Sequence, residues 1–364
     1  MKRHWKLIGF LAVCAMVLAP LGALADSIAP STMTIIGNPT SLTVATFHKT
    51  VTVTTKPTSQ TDIFFLSDTT GSMGGTIAAV QAGAGAILTA TSGLGNTAWG
   101  VGEYKDGTVD AFGYRLDQAI TTNQAAVVAG LGAWVAGGGG DEPEDNLMGI
   151  RRSTTDAASA WRAGSARILV QFGDAPGHDP ASDGTTLATA TSALLGTNPV
   201  QPLTKLIAAN VGAGRKDLTG QETAMVTALN AVSTGSVLLN APDNATLVAA
   251  VLAAIETSFS TYHKVELAIS GLPAGIVPFF TTSPASYTGD FTRDIDRDFG
   301  FDVTLVGCCQ AFKTSFDFEI DALVDGAIVA IEHDHWSCVP VPPSMILMGS
   351  GLLGLIGLRR IKRT

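Results

Sequence analysis

The middle of the chain alternates short, continuous apolar runs with longer segments of helical spacing. The apolar runs predict strands at 61–68, 96–106, 166–174 and 204–212. The segments with helical spacing predict helices over 72–92, 121–137, 146–161 and 245–259. Apolar strands that alternate with helices indicate a parallel sheet covered on both faces. We therefore predict an α/β fold, doubly wound around a mostly parallel sheet.

The segments on either side of this region have a different pattern. Turn glycines separate strand-like runs at 263–272, 298–307, 314–326 and 327–336, which indicates a small antiparallel β-sandwich. Residues 41–56 are also strand-like, and we hypothesise that they join this sandwich, so that the α/β domain is inserted between its two parts. The expected boundaries are 26–60 for the N-terminal β segment, 61–258 for the α/β domain and 259–338 for the sandwich.

The N-terminus has the three-part pattern of a secretory signal peptide. Three basic residues within positions 1–6 precede an apolar run, and Ala23-Leu24-Ala25 precedes Asp26. We expect residues 1–25 to be removed on export, with the mature chain starting near Asp26.

The C-terminus, residues 339–364, carries a second processing pattern. Val339, Pro340, Val341 and Pro342 precede an apolar, glycine-containing run over 345–358 and a basic cluster. The run is shorter than the roughly 20 residues of a spanning helix, although an ordinary tail anchor is an alternative. The order resembles the PEP-CTERM sorting signal of Gram-negative bacteria, with Val341 where the family usually has Glu. That resemblance implies a transient membrane segment, removal by an exosortase, and delivery to the cell surface, outer membrane or extracellular matrix.

Charge is distributed unevenly along the chain. Seven of the 22 Lys and Arg lie in the two terminal segments, whereas all 31 Asp and Glu lie within residues 26–338. The part between the terminal segments therefore carries a net charge of about −16, which repels nucleic acid and attracts divalent cations. We expect no nucleic-acid partner.

Three cysteines remain once Cys14 leaves with the signal peptide. Cys308 and Cys309 are adjacent in sequence, so on a strand only one of them should point toward Cys338. We expect one disulfide and one leftover thiol in an oxidising compartment, the alternative being that all three stay reduced. The spacing is not a zinc signature.

The stretch "FFLSDTTGSMGGTI", residues 64–77, places oxygen-bearing side chains at the end of the first apolar strand. Asp68, Thr70 and Ser72 alternate along the turn into the next helix, a spacing that lets them converge on one hard cation. Alternatively, Thr70 or Ser72 could simply cap the helix. The string "DTTGSM" resembles the Asp-x-Ser/Thr-x-Ser motif of von Willebrand factor A (vWA) domains, which forms their metal-ion-dependent adhesion site.

Two further loops resemble those of the integrin β-subunit I-like variant of this domain. They are "GGGGDEPEDNLMGI" at 137–150 and "RILVQFGDAPGHD" at 167–179. The resemblance implies that Glu144 and Asp174 complete a Mg²⁺ site with Asp68, Thr70 and Ser72. The alternative for Glu144 is a favourable interaction with the dipole of the next helix.

The same resemblance implies a possible second metal. Asp106, Asp141 and the Pro143 carbonyl correspond to the ligands of an adjacent Ca²⁺ site in that family. Gly74 and Gly75 stand where the family's other adjacent site has acidic residues, so we expect no third site.

The expected function is binding and not catalysis. A Mg²⁺ held partly by neutral hydroxyls keeps positive charge and an exchangeable water, and it can accept a carboxylate from an extracellular protein partner. The sequence contains no Gly-x-Ser-x-Gly elbow, His-Glu-x-x-His helix or Gly-x-x-x-x-Gly-Lys phosphate loop. The alternatives are a structural matrix or biofilm protein whose metal is incidental and, third, a secreted enzyme with an unrecognised site.

Overall fold

The computed structural model describes residues 26–37, 43–55, 60–140, 142–196, 203–211, 219–240, 243–272, 280–307 and 315–338. The predicted signal peptide, the sorting segment, Asp141, Cys308 and Cys309 lie outside these ranges. The first strands are β1 (Ser27–Ala29), β2 (Thr34–Gly37), β3 (Thr43–Val53), β4 (Gln60–Asp68), β5 (Asn96–Tyr104), β6 (Tyr114–Thr121), β7 (Ala166–Gly173), β8 (Thr204–Asn210) and β9 (Val237–Asn240). The later strands are β10 (Thr261–Ser270), β11 (Phe280–Ser283), β12 (Ser286–Thr292), β13 (Arg297–Gly307), β14 (Phe316–Val324) and β15 (Ala327–Cys338). The helices are α1 (Gly74–Thr91), α2 (Gln124–Gly132), α3 (Asn146–Thr155), α4 (Leu187–Leu195), α5 (Thr219–Asn230) and α6 (Leu247–Ser260).

Six strands form the sheet of the α/β domain, in the order β6-β5-β4-β7-β8-β9. Every neighbouring pair is parallel except β5 with β6. The run "IFFL" in β4 explains the two-sided packing, because successive side chains of a strand point to opposite faces. Ile63 and Phe65 belong to the core on one face, and Phe64 and Leu66 belong to the core on the other. The predicted doubly wound, mostly parallel fold is confirmed.

Helices cover both faces of this sheet. α1, α2 and α6 contribute to the core around Ile63 and Phe65, and α3, α4 and α5 contribute to the opposite core. By length and composition alone, the segment Gly71–Leu94 could cross a membrane. In the fold, its side chains Ile77, Val80 and Ile87 are buried against the sheet.

Several boundaries differ from the predicted ones. α2 ends at Gly132, and Trp134 beyond it packs against Phe172 with ring centroids 6.3 Å apart. α3 ends at Thr155 because Asp156 takes an extended backbone conformation. The pattern did not predict β6, α4, α5 or β9, whose segments have weak apolar periodicity or are short.

The flanking strands form a sandwich of two sheets, with orders β1-β3-β13-β11 and β12-β10-β14-β15-β2. β3 pairs antiparallel with β13 from Thr43 opposite Gly307 to Val53 opposite Arg297, and β2 pairs parallel with β15. The hypothesis that N-terminal strands join the C-terminal sandwich is confirmed. The α/β domain is therefore an insertion between β3 and β10.

The sandwich contacts the α/β domain at the amino ends of the parallel strands. In the turn between β14 and β15, Asp325 Oδ2 accepts a hydrogen bond from Ser233 Oγ at 2.7 Å and lies 3.7 Å from Lys205 Nζ of β8. The N–H of Ile328 donates to the carbonyl of Gly164 at 2.8 Å, just before β7. The opposite edge of the sheet, where the strands end, is left for the loops that carry the predicted site.

Candidate metal centre

The first two carboxylates of the predicted site reach the same edge of the sheet. β4 and β7 are parallel neighbours, with Ser67 opposite Phe172 near their carboxyl ends. Asp68 is the last residue of β4, and Asp174 follows β7 directly. Parallel topology therefore places both side chains where ligands of such sheets bind.

The two hydroxyl residues contact these carboxylates. The backbone N–H and the Oγ1 of Thr70 both donate to Asp68 Oδ1 at 2.8 Å. Ser72 Oγ donates to Asp174 Oδ1 at 3.1 Å. No side-chain cap bond is formed by Thr70, and Met73 occupies the N-cap position of α1. The hydroxyls are thus directed at carboxylates and not at the start of the helix.

Glu144 reaches the site from the loop before α3. It forms a parallel bridge with Gly177, in which the Glu144 N–H donates to the Pro176 carbonyl at 2.9 Å. The Glu144 carbonyl in turn accepts from the His178 N–H at 2.8 Å. Two backbone bonds therefore hold this loop against the one that follows β7.

The glycine run before Glu144 forms one wall of the site. Gly138 and Gly139 have φ values of 79° and 67°, a region that glycine adopts without strain. A Cβ at Gly139 would lie 2.6 Å from the Cβ of Thr70. The Gly71 N–H donates to the Gly138 carbonyl at 3.2 Å, which ties this wall to the start of α1. The glycines thus allow a close approach that side chains would block.

Together these loops enclose a polar cleft. Its lining includes Thr70, Ser72, Glu144 and Asp174. Asp68 is fully buried behind Thr70, while Ser72 is exposed at the rim. Within the described part of the chain, Asp68 Oδ2 and Glu144 Oε2 are buried oxygens without a hydrogen-bond partner. Such oxygens are costly unless a further group pairs with them.

Two carboxyl groups of the cleft have raised pKa values. Burial raises the pKa of Asp68 to about 7, against the hydrogen bonds from Thr70 and with a further contribution from Asp174. Burial also raises the pKa of Glu144 to about 8, and the charges of Asp68, Asp106 and Asp110 add to the shift. A divalent cation would favour the ionised form of both groups.

The donor set fits a hard cation such as Mg²⁺, which binds oxygen ligands. It consists of three carboxylates and two hydroxyls, and the structure brings all five residues to one edge of the sheet. Among the described residues, no group of three or more His, Cys, Asp or Glu is arranged to hold a metal by itself.

The predicted second site is only partly described. Asp106 is buried, and its Oδ1 accepts from Thr108 Oγ1 at 2.6 Å and lies 3.3 Å from His178 Nε2. Burial alone would raise its pKa, but the bonds from Thr108 and the contact with His178 outweigh burial and lower it. Asp141 is outside the described ranges, and Pro143 is half-buried in the Glu144 loop. The Ca²⁺ site stays a prediction.

Two charged residues near the cleft were missed by sequence reasoning. Lys105 Nζ donates to the carbonyls of Thr69 and Gly137, which ties the β4 loop to the glycine wall. Asp110 Oδ2 accepts from the Gly139 N–H at 2.9 Å. Both follow the end of β5, the next strand in the sheet, and that position was the signal that could have found them.

The cysteine prediction rests mainly on residues that are not described. Cys338 at the end of β15 is disulfide-bonded. Cys308 and Cys309 lie outside the described ranges, so which of them pairs with Cys338 stays a prediction.

Comparison with known proteins gave matches only among solved structures. No protein-family model and no curated protein sequence matches the chain. A von Willebrand factor type A protein from Catenulispora acidiphila aligns at 12% identity with a TM-score of 0.46, covering 87% of this chain and 75% of that one. The pilus adhesin SpaC from Lactobacillus rhamnosus GG aligns in its open conformation at 14% identity with a TM-score of 0.40, covering 79% of this chain. This chain spans 45% of the adhesin's length.

Proposed function

We propose that this protein binds an acidic group of an extracellular protein partner through a Mg²⁺ ion held in the cleft. The observation that carries the proposal is a pair of buried oxygens, Asp68 Oδ2 and Glu144 Oε2, that have no hydrogen-bond partner among the described residues. They lie beside the hydroxyl of Thr70, which donates to Asp68 Oδ1. The resemblance of "DTTGSM" and the Glu144 and Asp174 loops to the adhesion site of vWA domains supports the same ligand set. Ca²⁺ at an adjacent site would use Asp106.

The exposed rim favours a partner that completes the coordination. Asp68 and Glu144 are buried, whereas Ser72 at the mouth is exposed. An ion bound between them would keep a side open to solvent, where a carboxylate could replace a water. Because the chain between its terminal segments is strongly acidic, attraction for an acidic partner must come from the ion.

We propose a binding role in preference to a catalytic one. The hydroxyls of Thr70 and Ser72 donate hydrogen bonds to Asp68 and Asp174. The ring of His178, in the adjoining loop, lies against Asp106. Turnover of a substrate dependent on Ser72 would contradict this assignment.

The test is metal binding followed by partner capture. Calorimetric titration of the full chain with MgCl₂ should show binding. Capture of proteins from the envelope and matrix of the producing cells should require Mg²⁺ and be lost on chelation. Equal capture with and without chelator would favour the structural matrix protein, in which the metal is incidental.

Export and sorting form a separate part of the proposal. We propose that the chain leaves the cytoplasm through residues 1–25 and reaches the surface after an exosortase removes the tail. Mature protein should then lack residues beyond roughly Pro343, as the pattern of sorting segments implies. Intact mass showing Thr364 in surface-extracted protein would support a tail anchor instead.

A further inference from the structure

The core of the sandwich contains three ionisable side chains that the proposed function does not use. Lys49, Glu332 and Asp334 are all at most 2% exposed. Lys49 lies on the inner face of β3 with Val51, and the two acids lie on the inner face of β15 with Trp336. They therefore face one another across the apolar interior, from different sheets.

The contacts place the amine between the two carboxyl groups. Lys49 Nζ contacts Glu332 Oε1 directly and lies 3.6 Å from Asp334 Oδ2. It also donates to the Pro30 carbonyl at 3.1 Å. The N–H of Met33 donates to Asp334 Oδ1 at 2.6 Å. In the described residues, Glu332 Oε2 and Asp334 Oδ2 have no hydrogen-bond partner.

Each carboxyl group therefore has a distinct environment. The Met33 N–H polarises the Asp334 carboxyl group through Oδ1, so that Oδ2, which lies 3.6 Å from Lys49 Nζ, is the oxygen placed to leave. Glu332 contacts the amine and is placed to take a proton from it. Burial lowers the pKa of Lys49, opposed by Asp334, and burial raises the pKa of Asp334, opposed by Lys49. Both shifts favour the neutral amine and the neutral acid, which are the reactive forms for amide formation.

We propose that Lys49 and Asp334 become joined by an amide bond, with Glu332 as the proton carrier. The Lys49 amine attacks Asp334 Cγ, so that the Nζ–Cγ bond forms and negative charge collects on Oδ1 beside the Met33 N–H. Glu332 takes one proton from Nζ and delivers it to the Oδ2 hydroxyl. The Cγ–Oδ2 bond then breaks, one water leaves, and the amide nitrogen keeps one proton. The reaction involves no oxidant or reductant.

The bond closes the chain around the inserted domain. Lys49 precedes the α/β domain and Asp334 lies on the last strand after it, so the amide ties the two sheets and both parts of the sandwich together. Tension applied to the α/β domain by a bound partner would then meet a covalently closed sandwich. This consequence gives a surface protein resistance to pulling that an ion pair does not supply.

The decisive measurement is the mass of the wild-type full chain after reduction and denaturation, compared with the mass calculated from its mapped termini. We expect the mass to be lower by one water. Trypsin should not cut after Lys49, because its side chain is an amide, and fragmentation should find one peptide linked to Asp334. Lys264 provides an internal control, since its Nζ lies 2.6 Å from Glu266 Oε2 at the protein surface and trypsin should cut after it.

Variants separate the roles of the two acids. Asp334→Ala and Glu332→Gln should each restore the full calculated mass and cleavage after Lys49. Asp317→Ala, a change at an exposed carboxylate of the neighbouring strand, should keep the bond. A wild-type chain of full mass that trypsin cuts after Lys49 overturns the proposal whether or not any variant folds. A link that maps to Glu332 instead of Asp334 also overturns it.

Discussion

The cleft of the α/β domain and the core of the sandwich both bury carboxyl groups, but they differ in the source of positive charge. In the cleft, Asp68 and Glu144 have buried oxygens without a hydrogen-bond partner in the described part of the chain, beside an opening to solvent. In the sandwich, Glu332 and Asp334 enclose Lys49, and all three are sealed from solvent. The cleft leaves its carboxyl oxygens open to a cation from solvent, whereas the sandwich core supplies the amine of Lys49 as their partner.

This difference determines whether the partner of the buried acids comes from solvent or from the chain itself. Burial of a carboxylate destabilises the fold unless the carboxylate is paired. A partner within the chain supplies that pairing, so no external cation has to bind. Where the chain supplies acids and hydroxyls with a way in from solvent, an external cation can complete the group. We therefore expect reversible ligand binding in the cleft and a permanent link in the sandwich group, which is the cluster of Lys49, Glu332 and Asp334.

The largest effect should come from removing the Lys49 amine. Lys49→Met removes the proposed cross-link and leaves two acids in an apolar core without their partner, so we expect the unfolding free energy to fall by about 3–5 kcal/mol. Urea denaturation measures the change. Lys264→Met, at a half-exposed lysine paired with Glu266, should cost at most about 1 kcal/mol and serves as the control. Equal effects for both variants would mean that the sandwich group does not need its lysine.

Removal of an acid from the cleft should have little effect on stability without Mg²⁺ and a large effect on the response to Mg²⁺. Asp68→Ala removes two hydrogen bonds from Thr70 but also relieves the cost of a buried acid, so without Mg²⁺ these effects should offset and the unfolding free energy should change by less than about 1 kcal/mol. At a Mg²⁺ concentration 100 times its Kd, the wild type should gain about 2.7 kcal/mol and the variant nothing.

The control for this variant is Asp183→Ala. Asp183 accepts from Thr185 and pairs with Arg151 at the surface, away from the cleft. This variant should keep the full response to Mg²⁺. A response to Mg²⁺ in Asp68→Ala equal to that of the wild type would exclude Asp68 as a ligand.

The stability of the cleft and its affinity for Mg²⁺ should both depend on pH. Burial raises the pKa of Asp68 from 3.8 to about 7 and that of Glu144 from 4.5 to about 8. The folded state therefore holds these protons more tightly than the unfolded state, and their contribution to stability is present below pH 3.8 and lost as pH rises through 7 and 8. Mg²⁺ must displace the same protons, so its affinity should increase over that range. Calorimetry at several pH values measures this, and a flat profile would contradict the proposed ligands.

The sequence predicts those strands and site residues whose structure depends on neighbouring residues. The run "IFFL" in β4 predicts a strand that is buried on both faces, and the motif "DTTGSM" predicts the turn that carries possible ligands. Both could be predicted because strand periodicity and turn residues are local properties of the sequence. Glu144 and Asp174 were predicted as ligands only through a resemblance to a known family. Their meeting depends on strand order and on the Glu144–Gly177 bridge, which no local pattern encodes.

The sequence did not predict the contact of Lys49 with Glu332 and Asp334 in the sandwich group. Lys49 occurs in an alternating strand whose other inward side chains are apolar, and a lone lysine there is indistinguishable from a surface charge. Its partners lie 283 and 285 positions later. Only the pairing of β3 with β13 and the stacking of the two sheets bring them together. Long-range sheet assembly, not composition, creates this site.

The smallest expected effect on the fold comes from the rim of the cleft. Ser72 is exposed and makes one hydrogen bond, to Asp174, without capping α1. Ser72→Ala should therefore lower the unfolding free energy by no more than about 1 kcal/mol. The same change removes a direct ligand of the proposed ion, so Mg²⁺ affinity and metal-dependent capture of a partner should both fall by about tenfold or more, the scale of losses near metal sites.

Ser92→Ala is the matched control for the rim, since Ser92 is an exposed serine at the other end of α1 whose hydroxyl donates to the Thr89 carbonyl. It should leave metal affinity and capture unchanged. Chelator should reduce capture by the wild type to the level of Ser72→Ala and have little further effect on that variant. If Ser72→Ala binds Mg²⁺ normally but loses capture, Ser72 contacts the partner and not the ion. If the variant loses Mg²⁺ but keeps capture, the ion is incidental, and the cleft then resembles the sandwich group in serving the structure alone.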